Sequence, residues 1–168
     1  MYKRKGLYRK RHSGLKHMKT LCIIPCGKAK IWDKHPDAGP TKAMDVYTGP
    51  FARKCREYAR KFYPNSWFII SAKYGFLKPC DVIPEPYNVS FKHKKSNPIN
   101  LEKLKAQATK RGFGRYRRIV VLGGRNYLDM VRKIFESKRI DVPLSGCRSI
   151  GYMMKRINEL IASRQPFL

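Results

Sequence analysis

The feature that most constrains the fold is a short apolar run at residues 66–70, which ends at Ser71-Ala72-Lys73-Tyr74. A run of large aromatic and β-branched residues that stops at small and polar ones is typical of a buried β-strand. In open α/β sheets, ligands bind just beyond the carboxyl ends of the strands. Ser71, Lys73 and Tyr74 therefore occupy positions at which such a fold would hold a binding site.

Two further apolar runs, at residues 20–25 and 118–122, have the same character, and a weaker one lies at residues 141–144. Segments with apolar residues at helical spacing lie between these runs and after the last one. Strands that alternate with helices predict an α/β fold with parallel strand pairing. We therefore expect a single domain at residues 20–168, with a mostly parallel sheet of about four strands flanked by helices.

The segment before the first run, residues 1–19, is rich in Lys and Arg and contains no acidic residue. It has too few apolar side chains to bury a core, so we expect a flexible basic arm. Such an arm would contact phosphate groups, although a tail that only improves solubility has the same composition. The candidate nucleic-acid-binding residues of the arm are Lys3, Arg4, Lys5, Arg9, Lys10 and Arg11.

The carboxyl ends of parallel strands meet at one edge of a sheet, which predicts that three turns of this chain lie together. In the first turn, which follows the run at residues 20–25, Gly27 permits a tight bend, and Lys28 and Lys30 can reach an anion. In the third turn, which follows the run at residues 118–122, Gly123 and Gly124 begin a helix, where free backbone N–H groups favour an anion. Neither turn has the spacing of a Walker A loop or a dinucleotide fingerprint. The candidate pocket residues are Cys26, Gly27, Ser71, Tyr87, Gly123 and Gly124.

A proline-stiffened loop at residues 81–87 follows the second turn and supplies two carboxylates, Asp81 and Glu85. A carboxylate beside a base can activate water or stabilise positive charge. With Lys73 and Tyr74, these two residues are the candidate catalytic set. The alternative interpretation is that Asp81 shapes a turn while Glu85 and Lys73 are solvated surface charges.

The chain has 38 Lys and Arg residues against 11 Asp and Glu, a net charge of +27 over 168 residues. Like charges repel one another in a compact domain, so this excess indicates a polyanionic partner. We expect that partner to be nucleic acid, DNA in preference to RNA. Outside the arm, the candidate nucleic-acid-binding residues are Lys28, Lys30, Lys92, Lys94, Lys95, Arg115 and Arg117.

Three aromatic residues, Phe91, Phe113 and Tyr116, are interleaved with basic residues between positions 88 and 118. Exposed rings among cations stack on unpaired bases in single-strand-binding proteins. The simpler interpretation, which we favour, is that these rings anchor the segment to the core.

Five scattered cysteines, an odd number, indicate free thiols in the reducing cytoplasm rather than a disulfide framework. The spacing of Cys22 and Cys26 is not the usual zinc pattern and no histidine lies at a matching interval, so we expect no metal and no cofactor. No apolar run approaches the roughly 18 residues of a membrane span, so we expect no membrane partner.

Several short motifs together resemble a known family. They are the Cys26–Lys30 turn and the segments at residues 46–51, 71–77, 81–87 and 146–151. As a set they resemble small prokaryotic and phage domains related to the peroxide-stress protein YaaA, over about residues 20–162. The resemblance implies a cytoplasmic α/β protein that is associated with DNA and related to enzymes that handle modified bases. It implies no catalytic residue.

Two functions remain open. The first is an enzyme acting on a nucleobase or glycosidic bond, in DNA repair or base modification, with Tyr74 or Tyr87 holding the base and Lys28 or Lys73 its phosphate. The second is a non-catalytic DNA- or RNA-binding protein, which composition alone supports better. A transferase for free nucleotides would leave the charge unexplained. The first two functions are distinguished by turnover, which only the enzyme would show.

Overall fold

The computed structural model describes residues 19–167, which contain seven strands, five α-helices and three short 3-10 helices. The strands are β1 (Thr20–Pro25), β2 (Thr41–Lys42), β3 (Trp67–Ser71), β4 (Gly75–Leu77), β5 (Val82–Ile83), β6 (Arg118–Val121) and β7 (Arg139–Asp141). The helices are α1 (Ala43–Val46), α2 (Pro50–Phe62), α3 (Leu101–Lys110), α4 (Arg125–Ile134) and α5 (Ile150–Ala162). The basic arm expected at residues 1–19 lies outside the described residues, apart from Lys19.

The main sheet has five strands in the order β4-β3-β1-β6-β7. Strand β1 is central and pairs in parallel with β3 on one side and β6 on the other. Strand β7 extends the sheet in parallel, whereas β4 pairs with β3 in the antiparallel direction. A separate two-stranded sheet joins β2 to β5. The expectation of a mostly parallel sheet is therefore confirmed.

Helices cover both faces of the sheet, because successive side chains of a strand point to opposite faces. On one face, Cys22 and Ile24 of β1 pack beneath α2 and α5. On the other, Leu21 and Ile23 belong to the core that α3 and α4 complete. All four residues are buried. A strand buried on both faces has a continuous apolar sequence, and this pattern predicts β1, β3 and β6.

Two details of the sheet differ from the expectation. It has five strands rather than about four, because the chain turns back after Ser71 and forms the antiparallel strand β4. This strand is only three residues long and lies too close to β3 to show a pattern of its own. The last strand also comes earlier than residues 141–144, at Arg139–Asp141, where the sequence is too polar to be read as a buried strand. No helix in residues 19–167 is long and apolar enough to cross a membrane.

A buried ion pair joins the last two strands of the sheet. The Arg118 guanidinium, in a residue only 3% exposed, contacts the Asp141 carboxylate and donates to the Phe167 carbonyl. The Phe167 N–H in turn donates to Tyr58 Oη at 3.1 Å. These contacts hold the C-terminal segment against the sheet and α2. Arg118 therefore stabilises the fold and is not a surface cation.

The β3–β4 turn is fixed by one side chain from α3. Gln107 accepts a hydrogen bond from the Phe76 N–H at 2.9 Å and donates one to the Tyr74 carbonyl at 2.9 Å. Gly75 lies between them with φ of +75°, a conformation that L side chains rarely adopt. A side chain added at Gly75 would collide with the Gln107 amide.

We predict that Gly75→Ala destabilises the domain more than Gly39→Ala. Both glycines have positive φ, but nothing lies within 4 Å of a Cβ placed at Gly39. Gly39→Ala should therefore cost only the backbone strain, about 1 kcal/mol. Gly75→Ala should cost about 2 kcal/mol more, because it displaces Gln107 from two hydrogen bonds. Urea unfolding measures both, and equal losses would contradict the role given to Gln107.

Candidate binding site at the carboxyl edge of the sheet

The ends of β1, β3 and β6 lie side by side because the three strands run in parallel. The Cys26 N–H, just after β1, donates to the Ile70 carbonyl of β3 at 3.1 Å. On the other side, Cys26 Sγ lies 3.5 Å from the hydroxyl of Tyr127, in the first turn of α4. The same hydroxyl donates to the Cys26 carbonyl at 3.3 Å. Cys26 thus connects all three strand ends.

A chain of buried hydroxyl groups begins at Ser71. Its Oγ accepts hydrogen bonds from the N–H groups of Lys73 and Tyr74, both at 3.2 Å, and lies 3.0 Å from Tyr87 Oη. Tyr87 Oη is in turn 2.5 Å from Tyr47 Oη. Ser71 is completely buried and Tyr47 is 3% exposed. Because unpaired buried hydroxyls are costly, this mutual pairing is what permits polar groups here.

Two lysines approach the tyrosine rings of this cluster. Lys30 Nζ lies 4.6 Å from the centroid of the Tyr87 ring and donates to the Lys28 carbonyl at 3.1 Å. Lys73 Nζ lies 5.2 Å from the Tyr74 centroid and 5.6 Å from that of Tyr87. The two rings meet edge to face with centroids 5.3 Å apart. The three lysine–ring contacts have the geometry of cation–π interactions.

We refer to Cys26, Lys30, Tyr47, Ser71, Lys73, Tyr74, Tyr87 and Tyr127 as the tyrosine cluster. Its rings and ammonium groups pack directly on one another. A ligand would therefore meet the half-exposed rim, formed by Cys26, Lys73 and Tyr74, rather than enter a deep cavity.

Burial holds the phenols of the cluster in their neutral form. It raises the pKa of Tyr87 to about 12, with the nearby Cys26 thiol adding to the effect. Burial also raises the pKa of Tyr47 and of Tyr127 far above the ordinary value. Burial lowers the pKa of Lys30, and the proximity of Cys26 and Asp33 partly offsets that effect. Neutral hydroxyls beside ammonium groups are suited to an anionic or hydrogen-bond-accepting ligand.

A basic loop borders the cluster. The ring of Phe91 packs edge-on against Tyr127, with centroids 5.9 Å apart. The next residues include three exposed lysines, Lys92, Lys94 and Lys95. Phe91 thus anchors this loop next to the third strand end, as expected from the sequence.

The structure brings most of the predicted pocket residues together. Gly27 packs against α2, and a Cβ placed there would lie 3.4 Å from that of Ala52. Gly123 has φ of +148°, and a Cβ there would approach Tyr127 Cβ to 3.3 Å. Gly124 is the N-cap of α4. Lys28 is exposed two residues after Cys26, whereas Lys30 is 8% exposed and faces the Tyr87 ring.

The two candidate carboxylates have different surroundings. Glu85 Oε1 lies 3.4 Å from Lys73 Nζ and so belongs to the rim, with its side chain 67% exposed. Asp81 accepts from the Lys78 N–H at 2.8 Å and pairs with Arg111 at 3.1 Å. These contacts engage Asp81 in a turn that rests on α3, and no described contact joins it to the tyrosine cluster.

Other predicted residues lie away from the cluster. Arg115 and Arg117 immediately precede β6 and therefore lie at the amino edge of the sheet. Arg115 donates to Tyr116 Oη at 3.1 Å and covers that ring. Phe113 and Tyr116 are 1% and 5% exposed, so both rings anchor the segment to the core. They are not available to stack on bases.

Sequence reasoning missed Tyr47 and Tyr127 as members of the site. Tyr127 lies in the first turn of α4 after the Gly-Gly pair, and that position near a strand end is visible in the sequence. Tyr47 belongs to the motif at residues 46–51, but it is far in sequence from the ends of β1, β3 and β6, so the motif does not predict that it joins the site. Within residues 19–167, no group of three or more His, Cys, Asp or Glu side chains could hold a metal ion.

Comparison with known proteins identifies the family. Residues 21–159 match DUF6884, a family of unknown function. The chain belongs to this family. It is also 40% identical over 148 residues to the uncharacterized protein YfjM of Bacillus subtilis (strain 168), covering 88% of this chain and 98% of that protein. A crystal structure of AF0587, a protein of unknown function, is similar with a TM-score of 0.43 and 14% identity over 90% of this chain, which spans 47% of its length.

The expected relationship to YaaA is therefore wrong, because the family that covers the domain is DUF6884. The motifs behind that expectation are mainly local devices of α/β folds. Gly49 and Pro50, for example, are the N-cap and first residue of α2. Such short pieces recur in unrelated sheets, and the DNA association that the resemblance implied loses that support.

The buried phenol of Tyr87 predicts a loss of stability at high pH. The unfolded chain ionises Tyr87 near the ordinary pKa of 10, whereas the folded protein holds its pKa at about 12. Stability is therefore complete below pH 10 and falls as the pH rises to 12, by roughly 1.4 kcal/mol per pH unit for one such group. Tyr87→Phe should flatten this dependence in urea unfolding between pH 9 and 11.5, and parallel curves for the two proteins would contradict the assignment.

Proposed function

We propose that the protein binds nucleic acid, DNA in preference to RNA, and that the rim of the tyrosine cluster receives a phosphate with its attached base. The observation that carries the proposal is the pairing of ammonium groups with tyrosine rings and neutral hydroxyls at the carboxyl ends of three parallel strands. It is the part of the fold in which open α/β proteins bind ligands.

The charge of the domain supports a polyanionic partner. Seven of the 38 Lys and Arg residues precede Lys19, so residues 19–168 still carry 31 basic against 11 acidic residues, a net +20. Within residues 19–167, seven Lys and Arg side chains form ion pairs. Most of the excess is therefore uncompensated by the fold, and phosphate groups would compensate it with release of counterions.

Each part of the rim has a chemical role in this proposal. Lys28 and Lys73 are accessible cations for a phosphate oxygen, and the free N–H groups after Gly124 would add to them. Tyr74 presents a half-exposed ring, onto which an unstacked base can pack. The lysines of the Phe91 loop would extend the basic surface along the bound nucleic-acid strand.

A second candidate function is chemistry on the bound base. The observation that favours it is the Lys73–Glu85 pair beside the hydroxyl chain, which places a carboxylate and proton donors at one rim. Glu85 is then the better candidate for a general base, because Asp81 is engaged with Arg111. A cytoplasmic location accords with either function, since all five cysteines are free.

We predict that Lys73→Ala weakens binding to DNA and reduces its dependence on salt. The measurement is fluorescence anisotropy with labelled single- and double-stranded DNA and RNA over a series of salt concentrations. Losing one phosphate contact should lower the slope of log K against log salt by about 0.9 for duplex DNA and 0.7 for single strands. Lys133→Ala is the matched control, an exposed lysine near the C-terminal end of α4.

The same samples decide between binding and catalysis. Chromatography of the nucleic acid after incubation would show a released or altered base only if the protein is an enzyme. Glu85→Gln should then abolish product while leaving affinity intact. Equal slopes for Lys73→Ala and Lys133→Ala would remove the tyrosine cluster from the interface, and no salt-dependent binding of any oligonucleotide by the wild-type chain would end the proposal.

A further inference from the structure

A groove of about 430 Å³ lies along the outer face of α5 and the turn before it. It shares no residue with the tyrosine cluster. The residues that define it are Gly146, Cys147, Arg148, Tyr152, Lys155 and Arg156. None of them was a candidate site residue from the sequence.

One face of α5 forms the wall of the groove. Tyr152, Lys155 and Arg156 lie at positions i, i+3 and i+4, which stack on one side of a helix. An adjacent side of α5 carries Ile157 and Leu160, both buried in the core beneath α2. The groove face is thus free of the packing that holds the helix on the sheet, and its residues are available to a ligand.

An exposed aromatic ring stands at the mouth of the groove. Tyr152 is 61% exposed, whereas Tyr47, Tyr58, Tyr63 and Tyr116 are all buried. No aromatic ring in residues 19–167 packs against it. Its backbone N–H is held by the N-cap, Ser149, at 3.4 Å, so the ring projects from an ordered first turn of helix.

The groove is positively charged. Arg148, Lys155 and Arg156 line it against a single carboxylate, Glu159. The Arg156–Glu159 pair is 3.5 Å long and about half exposed, which makes it weak. Arg148 and Lys155 form no ion pair with a described residue. A ring flanked by uncompensated cations is the arrangement that binds a base together with its phosphates.

We propose that this groove binds a single-stranded segment of nucleic acid, with one base stacked on Tyr152 and the adjoining phosphates held by Arg148 and Lys155. This inference rests on the proposed function and adds a second contact site and a preference for unpaired strands. The volume is that of a pocket for a small ligand, so it admits a nucleotide or two rather than a duplex. Because every base has a π-face, the site would be tolerant of sequence.

The test compares groove variants of the full chain by anisotropy with single-stranded and duplex DNA of equal length. Tyr152→Ala should weaken single-strand binding at least about fivefold, the lower limit for a lost base stack, and leave duplex binding unchanged. Lys155→Ala should lower the single-strand salt slope by about 0.7, and Lys133→Ala should leave it unchanged. Circular dichroism checks that each variant is folded, as expected for exposed positions.

A Tyr152→Trp variant gives a direct signature of stacking. Its affinity should match the wild type, and the emission of the new indole should be quenched by single strands, while Trp32 and Trp67, each 5% exposed, are shielded. If the wild type binds single strands but Tyr152→Ala binds equally well, the groove proposal fails and the proposed function stands. If the wild type binds no nucleic acid, both fail. Competition by polyglutamate with the same dependence on Tyr152 would assign the groove to an acidic peptide instead.

Discussion

The parallel pairing of β1 with strands on both sides is the constraint on which the rest of the structure depends. It forces the turns after β1, β3 and β6 to the same edge of the sheet, although Cys26 and Ser71 are 45 residues apart in sequence and Ser71 and Gly123 are 52 apart. Cys26, Ser71 and Gly123 meet there because of strand direction and not because of any attraction among them. Tyr87 lies on the loop after β5, Tyr47 on the segment after α1 and Tyr127 in the first turn of α4. Any change that weakened the pairing of β1 would therefore disperse the site together with the core.

The tyrosine cluster and the surface of the domain have different electrostatic environments. In the cluster, burial keeps the phenols neutral, and the ammonium groups of Lys30 and Lys73 lie against the tyrosine rings. The hydroxyls of Ser71, Tyr87 and Tyr47 pair with one another, which avoids the cost of roughly 1–3 kcal/mol for each buried hydroxyl left unsatisfied. The Tyr74 hydroxyl is buried without a hydrogen-bond partner among the described residues. The surface, by contrast, retains a large positive excess that no internal partner neutralises. A polyanion bound at the rim would meet both environments at once, with its charge on the surface and its base against the rings.

The sequence was sufficient for the features that depend on burial and strand direction. The apolar runs of β1, β3 and β6 predict the parallel sheet, and the residues after them predict a site that contains Cys26, Ser71, Lys73 and Tyr87. It was insufficient where short or distant pieces combine. Strand β4 depends on Gln107, a residue about 30 positions away that binds the backbone on both sides of Gly75. Asp81 was expected among the catalytic residues, but its partner Arg111 is set by tertiary packing and could not be read from the sequence.

The groove on α5 follows from a pattern that is visible in the sequence. Met153, Ile157 and Leu160 define the inward face of the helix, which leaves Tyr152, Lys155 and Arg156 on the outward face at helical spacing. An aromatic residue off the apolar face, beside two basic residues, predicts an exposed ring among cations. The family relationship could not be obtained in the same way, because the motifs that suggested YaaA serve turns and helix starts that many α/β proteins share.

The measurement that tests the account most directly is photo-crosslinking of the full chain to DNA that carries 4-thiothymidine at successive positions, followed by mass spectrometry of the crosslinked peptides. The account predicts crosslinks in the segment that contains Lys73, Tyr74 and Tyr87 and in the first turns of α5. Crosslinks confined to residues 1–19, or to the amino edge around Arg115 and Arg117, would contradict it.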